Sequence, residues 1–136
     1  IVTTVSLEDT GPTGYHIKAD LRYLASCIDL CAGYDYIFHL AGIKGSPKLT
    51  ATKPASFFVN TTMFNTNILE AIRLAQPKWA LYTSSVGVYA PAEVFKEDTV
   101  WDTLPSPYDK FAGWAKRMGE LQVESYSIEL GIIQMY

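Results

Sequence analysis

The sequence predicts an α/β domain built on a mostly parallel, doubly wound sheet covered by helices, and three observations carry that prediction. Short runs rich in β-branched and aromatic residues recur along the chain, at Ile1–Leu7, Tyr15–Ala19, Tyr34–Ala41, Trp79–Thr83 and Ile132–Tyr136. The longer segments between most of them repeat apolar residues with a helical period, giving the order β-β-α-β-α-β-α-β. The stretch Leu81–Tyr89, L-Y-T-S-S-V-G-V-Y, ends a strand in hydroxyl and small residues. In open parallel sheets ligands bind at the carboxyl ends of strands, so such an ending marks a candidate site edge.

The first two strands are separated by a turn-rich loop, Glu8–Gly14. Asp20 follows the second as the expected N-cap of a helix from Leu21 to Ala32. Its apolar positions are Leu21, Leu24, Ala25, Ile28 and Cys31, and Gly33 is its stop. After the strand at Tyr34–Ala41, residues Gly42–Lys53 read as a loop, basic at Lys44, Lys48 and Lys53. Pro54 starts a long helix to about Ala75, ended by Gln76-Pro77. Roughly two dozen residues then form a proline-broken loop, a length more often functional than idle. A last helix, Gly113–Leu130, is expected to bury Trp114, Met118, Leu121 and Tyr126 or their neighbours, with Gly131 as its C′ residue.

At 136 residues, with 49% hydrophobic and 18% charged residues, the chain reads as one globular domain, residues 1–136. The net charge is −3 and no basic face stands out, which argues against nucleic acid as a partner. No long apolar run or signal-peptide pattern is present, so the expectation is no membrane association and a cytoplasmic location. The start at Ile1 and the strand-like ending make both ends look cut from something longer. Cys27 and Cys31 stand one helical turn apart. They read as two buried small residues, because two ligands cannot close a zinc site and His16 and His39 lie on other elements.

Five pieces occur in order along nearly the whole chain: Ala19-Asp20-Leu21, His39-Leu-Ala-Gly42, Asn67-Ile-Leu-Glu-Ala71, Tyr82-Thr-Ser-Ser-Val-Gly-Val-Tyr89 and Trp114-Ala-Lys-Arg-Met-Gly-Glu120. Together they resemble the extended short-chain dehydrogenase/reductase family, in its branch of nucleotide-sugar epimerases, dehydratases and reductases. The resemblance implies a Rossmann-like fold, NAD or NADP as cofactor and a nucleotide sugar as substrate. It also implies that Asp20 and Leu21 meet the adenine and that Leu40, Ala41, Gly42 and Thr83 lie along the cofactor. Ser85, four residues before the motif tyrosine Tyr89, would hold the reacting sugar oxygen, and Lys116 the nicotinamide ribose. Lys44, Val86 and Gly87 would face the substrate; for Lys44 and Lys48 a solvated basic loop is an equal reading.

The chemistry explains those residue types. Hydride leaves a carbinol only as its hydroxyl proton is removed, and a tyrosine serves as that base when a nearby ammonium stabilises its phenolate. The family places this tyrosine four residues before the lysine, on one helix face. Here Ala112 stands there. The nearest earlier tyrosine is Tyr108, in Ser106-Pro107-Tyr108, and two readings stay open: Tyr108 folds back towards Lys116, or it is a loop residue and the base is absent or supplied otherwise. Val86-Gly87 stand where the resembled sugar dehydratases carry acidic residues, which disfavours elimination of water.

The family's glycine-rich turn is not found at Gly11, Gly14 or Gly33, which have neither its spacing nor its strand-then-helix context. The expected chain is therefore a partial Rossmann-like domain, lacking the first (Gly-rich) strand-turn and the C-terminal substrate domain. The absent strand would be the central one, between the Ile1 and Tyr36 strands, leaving an open slot there. Ser6 falls where an acidic residue would hold a ribose 2′-hydroxyl, with Glu8 and Asp9 just beyond, which weakens the case for NAD over NADP. His39 reads as a satisfied core histidine, Trp114 as packing, and Thr62 falls where the family commonly has an asparagine, with Asn60, Asn65 and Asn67 nearby.

The parent enzyme would transfer hydride at a sugar carbon, as an epimerase or reductase, with little or no turnover expected of this segment alone. The alternatives are a non-catalytic NAD(P)- or nucleotide-binding sensor of the same fold, favoured by Ala112, and an interaction module or homodimer using the exposed sheet. The roles assigned to catalysis are those of Ser85, Lys116 and Tyr108, and no metal is expected.

Overall fold

A computed structural model describes residues 1–43, 45–131 and 133–135. In chain order the elements are β1 (Thr4–Ser6), β2 (His16–Lys18), α1 (Leu24–Cys31), β3 (Tyr36–His39), α2 (Pro47–Thr52), α3 (Pro54–Ala75), β4 (Trp79–Tyr82), two 3-10 turns (Val86–Val88 and Glu97–Asp102), α4 (Lys110–Leu130) and β5 (Ile133–Met135). The order of strands and main helices is the expected one. The last strand was expected over Ile132–Tyr136, whose two end residues lie outside the described ones.

All strand pairs are parallel. β1 pairs β2 with Val5 opposite Ile17. β4 lies between β3 and β5, with His39 opposite Tyr82 and Tyr82 opposite Met135. Among the described residues these are two sheets, β1-β2 and β3-β4-β5, and β1 is not hydrogen-bonded to β3. The division falls where the sequence placed the open slot.

α1, α3 and α4 pack side by side, α3 touching both of the others. The strand residues that face them alternate, as a pleated strand requires. Ala80 and Tyr82 are fully buried and His39 is 3% exposed. They close a core with Cys27, Cys31, Ile68, Leu69, Ile72 and Val123. Burying each large aliphatic side chain stabilises the fold by about 1.5–3 kcal/mol. On the opposite sheet face Tyr36 and Phe38 are exposed, and Phe38 meets Trp79 edge to face at 5.5 Å. Among the described residues no helix is long and apolar enough to cross a membrane.

Several local expectations are corrected. Asp20 does not cap α1. Tyr23 holds the N-cap position, and Asp20 instead takes the backbone N–H of Arg22 at 3.0 Å and pairs with its guanidinium. Leu24 and Ile28 face outwards while Cys27 and Cys31 face in, so the buried stripe of α1 is shifted around the helix. Part of the loop at Gly42–Lys53 is helical, as α2, because Ser46 accepts from the N–H of Leu49 and Pro47 follows it in the first turn. Both cysteines are free and buried, and burial pushes the thiols up to about 11 for Cys27 and about 12 for Cys31.

The largest correction concerns α4. It buries Gly113, Ala115, Lys116, Arg117, Gly119, Glu120 and Val123, while Leu121 is 43% exposed and Trp114, Met118 and Tyr126 are half-buried. Its small residues let the helix approach the β4 end closely. A Cβ on Gly119 would overlap the hydroxyl of Tyr82, and one on Gly113 would overlap the carbonyl oxygen of Gly87 and lie 2.9 Å from the Cβ of Pro105. Gly113→Ala is therefore expected to destabilise the chain by about 1–3 kcal/mol in urea unfolding, despite alanine's advantage of about 1 kcal/mol in helices. An unchanged or raised stability would show that α4 does not sit this close.

Candidate functional site

The carboxyl ends of β3 and β4 are tied by Thr83. Its N–H and its Oγ1 both donate to the carbonyl of His39, at 3.3 and 3.2 Å. The carbonyl of Thr83 accepts from Nζ of Lys116 at 2.8 Å, and that ammonium lies 4.9 Å from the Tyr82 ring centroid. Lys116 is 9% exposed, and burial lowers it to about 8, partly offset by the Glu120 carboxylate. The cation thus stands at the strand end where Thr83, Ser84 and Ser85 follow one another.

Ser85 is extended backbone (φ −155°, ψ 149°) at the start of a 3-10 turn, and its Oγ accepts from the N–H of Gly87 at 3.2 Å. That leaves its O–H as a donor. Val86 is 67% exposed beside it. Gly87 is buried, pressed between Asp109 and Gly113, so it shapes the turn and offers little surface.

The cofactor-side positions are spread along both sheets. Leu40 is 65% exposed, Ala41 is half-buried and Gly42 is exposed, with nothing among the described residues within 4 Å of where a Cβ would stand. Asp20 follows β2, and its carboxyl is held below the usual range by hydrogen bonds from Arg22. Leu21 packs against the core, and its carbonyl accepts from Nδ2 of Asn67 at 3.2 Å. At the end of β1 the Oγ of Ser6 accepts from the N–H of Glu8, and Asp9 pairs with Lys18 at 2.8 Å. Lys44 lies outside the described residues.

The structure brings Thr83, Ser85 and Lys116 to one edge, and the segment carrying Tyr108 meets that edge at Gly87 through Ser106 and Asp109. Tyr108 precedes α4 and is 84% exposed. Ala112 sits inside the first turn of α4, half-buried, one turn before Lys116. Thr62 turns back on its own helix, donating to the carbonyl of Phe58 at 2.8 Å, whereas Thr61 and Asn65 are the buried polar positions of α3.

Three groups escaped the sequence reading. Glu120, 4% exposed, accepts a short hydrogen bond from Ser84 Oγ, and its Oε2 has no partner among the described residues. Its spacing of four from Lys116 was the available signal, since residues four apart share a helix face. Arg117, the residue after Lys116, is 1% exposed. Behind the edge a buried chain runs from His39 Nε2 to Asn65 Oδ1 at 2.7 Å, from Asn65 Nδ2 to the Tyr82 hydroxyl, and from that hydroxyl to the carbonyl of Lys116, the last two at 3.2 Å. Burial pushes the Tyr82 phenol well above its ordinary value, with Glu120 adding to the effect.

This edge can donate a hydrogen bond through Ser85 and present a positive charge through Lys116. The NAD dependent epimerase/dehydratase family model matches residues 2–133. The chain belongs to that family. It is 28% identical over 124 residues to GDP-mannose 3,5-epimerase 1 of Oryza sativa subsp. japonica, covering 87% of this chain and 32% of that protein. The chain thus spans about a third of the length of the curated relatives it matches. Among solved structures it is similar to a GDP-6-OMe-4-keto-L-xylo-heptose reductase from C. jejuni, with TM-score 0.77 and 19% identity over 90% of this chain and 38% of that one. It is also similar to MlghC, a GDP-mannoheptose C4 reductase from Campylobacter jejuni with NADP bound, with TM-score 0.77 and 18% identity over 90% of this chain and 42% of that one. At these identities the structures share the Rossmann-like fold.

His39 supplies a pH test. Burial lowers its pKa from 6.5 to about 4, with Lys116 adding repulsion and the Asn65 hydrogen bond opposing. Above pH 6.5 both folded and unfolded chains keep it neutral. Below that, the unfolded chain takes up a proton that the folded chain refuses, so stability falls between pH 6.5 and about 4 by on the order of 3 kcal/mol. In urea unfolding across that window, His39→Gln should flatten this part of the slope; an identical slope would contradict the assignment.

Proposed function

We propose that this chain is the nucleotide-binding part of an oxidoreductase that uses NAD or NADP to transfer hydride at a carbon of a nucleotide sugar, as epimerases and reductases do. The observation that carries the reading is the buried Lys116 ammonium, fixed at 2.8 Å from the Thr83 carbonyl beside the hydroxyl row at the end of β4. The residues fit the nicotinamide end of such a cofactor, because a cation and strand-end hydroxyls can hold ribose oxygens. The open space beside Gly42 leaves room for it to lie along β3. Among the described residues Gly11, Gly14 and Gly33 open no helix, so the pyrophosphate cradle is not part of the proposed contact set.

When bound, the nicotinamide supplies the hydride acceptor or donor. Lys116 and Thr83 would hold its ribose, Leu40, Ala41 and Gly42 would flank it, and Asp20 with Leu21 would lie towards the adenine. Ser85 would donate to the sugar oxygen, with Val86, Gly87 and Lys44 on the substrate side. A cytoplasmic location and a homodimer belong to the same proposal, the second supported by the uncovered aromatic sheet face.

The alternative is binding without turnover, favoured by one observation. Ala112 stands on the helix turn before Lys116, where a phenol would be within reach of the ammonium, and Tyr108 is 84% exposed. Calorimetry with NAD and NADP tests the shared part. Wild type should bind one of them more weakly at pH 9 than at pH 7, as Lys116 loses its proton near 8. Lys116→Met should bind weakly at both pH values. No binding at either pH would sink both readings. Ala112→Tyr in a chain restored to full length then separates them, since a phenol there should raise turnover of GDP-mannose with NAD(P) if the edge is catalytic and leave it at background if the protein only binds.

A further inference from the structure

The residue after Lys116 has a different task. Arg117 is 1% exposed, and among the described residues no carboxylate forms an ion pair with it. Its Nε and Nη2 donate to the carbonyl of Val88 at 3.1 and 2.5 Å, Nη2 also to that of Val100 at 2.6 Å, and Nη1 to that of Thr103 at 2.5 Å. The guanidinium carbon lies 5.2 Å from the Trp101 ring centroid and 5.6 Å from that of Trp114. Its five donors in a rigid plane therefore bind both ends of the loop that leaves the β4 edge, while indoles cover the cation. Just outside the loop the Ser106 N–H donates to the Gly87 carbonyl at 3.2 Å, within it Tyr89 stacks on Phe95, and Trp101 lines a cavity together with Glu120, Val123, Glu124 and Ser127 of α4.

We infer that Arg117 is the positioning residue of loop 88–104: it holds the loop shut against α4 as a preformed wall continuous with Ser85 and Val86. As a wall for the sugar half of a nucleotide sugar it rests on the function proposed above; as a strap it does not. A single lysine ammonium cannot span the Val88 carbonyl at one end of the loop and those of Val100 and Thr103 at the other, so Arg117→Lys keeps the charge and loses the strap.

Hydrogen exchange of the whole chain tests this, with GDP-mannose titration as a second arm. In Arg117→Lys, amides of loop 88–104 should exchange roughly ten-fold or more faster, while those of α3 change by less than about two-fold and the tryptophan emission shifts as Trp101 and Trp114 lose the guanidinium between them. GDP-mannose binding should weaken with NAD(P) binding unchanged. Unaltered loop protection in the variant would overturn the strap. If the variant does not fold, the wild type decides: with rising sub-denaturing urea the loop should open together with α4, and an earlier, separate opening of the loop would equally overturn it. Lost loop protection with no GDP-mannose binding even in wild type would leave the strap standing and count against the substrate class instead.

Discussion

The close approach of α4 to the end of β4 is the constraint on which the site depends. Gly113 and Gly119 allow it, and three buried polar residues of the helix, Lys116, Arg117 and Glu120, use it. Lys116 reaches the Thr83 carbonyl, Glu120 the Ser84 hydroxyl, and Arg117 the loop beyond. A lysine and a glutamate one turn apart in a buried place are costly unless each finds a partner, and the strand end supplies those partners. The Glu120 carboxylate also offsets part of the effect of burial on the Lys116 ammonium, whose pKa is lowered to about 8.

The same contact explains what the site can do. It holds a cation and a hydroxyl donor in fixed places, the requirements for binding a ribose and a sugar oxygen. No phenol stands one helix turn before the cation, where the residue is Ala112, and the Tyr82 phenol that does lie beside it has its hydroxyl engaged by Asn65 and the carbonyl of Lys116. The Lys116–Thr83 contact is built by β4 and α4, while Tyr108 precedes the helix with its side chain exposed.

Much of this was legible in the sequence because it rests on periodicity and punctuation. The strand at Trp79–Tyr82, the long helix from Pro54 to Ala75 and the left-handed glycines Gly33 and Gly131 (φ 78° and 69°) appear where apolar spacing, proline and glycine placed them, and the division between the Ile1 and Tyr36 strands falls where the family resemblance put the absent strand. What escaped was polar burial. A rule that turns apolar residues inward selected Leu121 and Met118 on α4, whereas tertiary partners turned Lys116, Arg117 and Glu120 inward instead. α2 escaped because a six-residue helix held by one cap leaves no periodic trace. The Asp20 side chain was read as a cap, and an arginine two residues away claimed it.

If the α4–β4 contact organises the edge, Ser84 and Glu120 must be energetically coupled. A double-mutant cycle with Ser84→Ala and Glu120→Gln, read by urea unfolding at pH 7, measures that coupling directly. A coupling of about 1–3 kcal/mol is predicted for a buried hydrogen bond to a carboxylate. Additivity within about 0.3 kcal/mol would contradict the account.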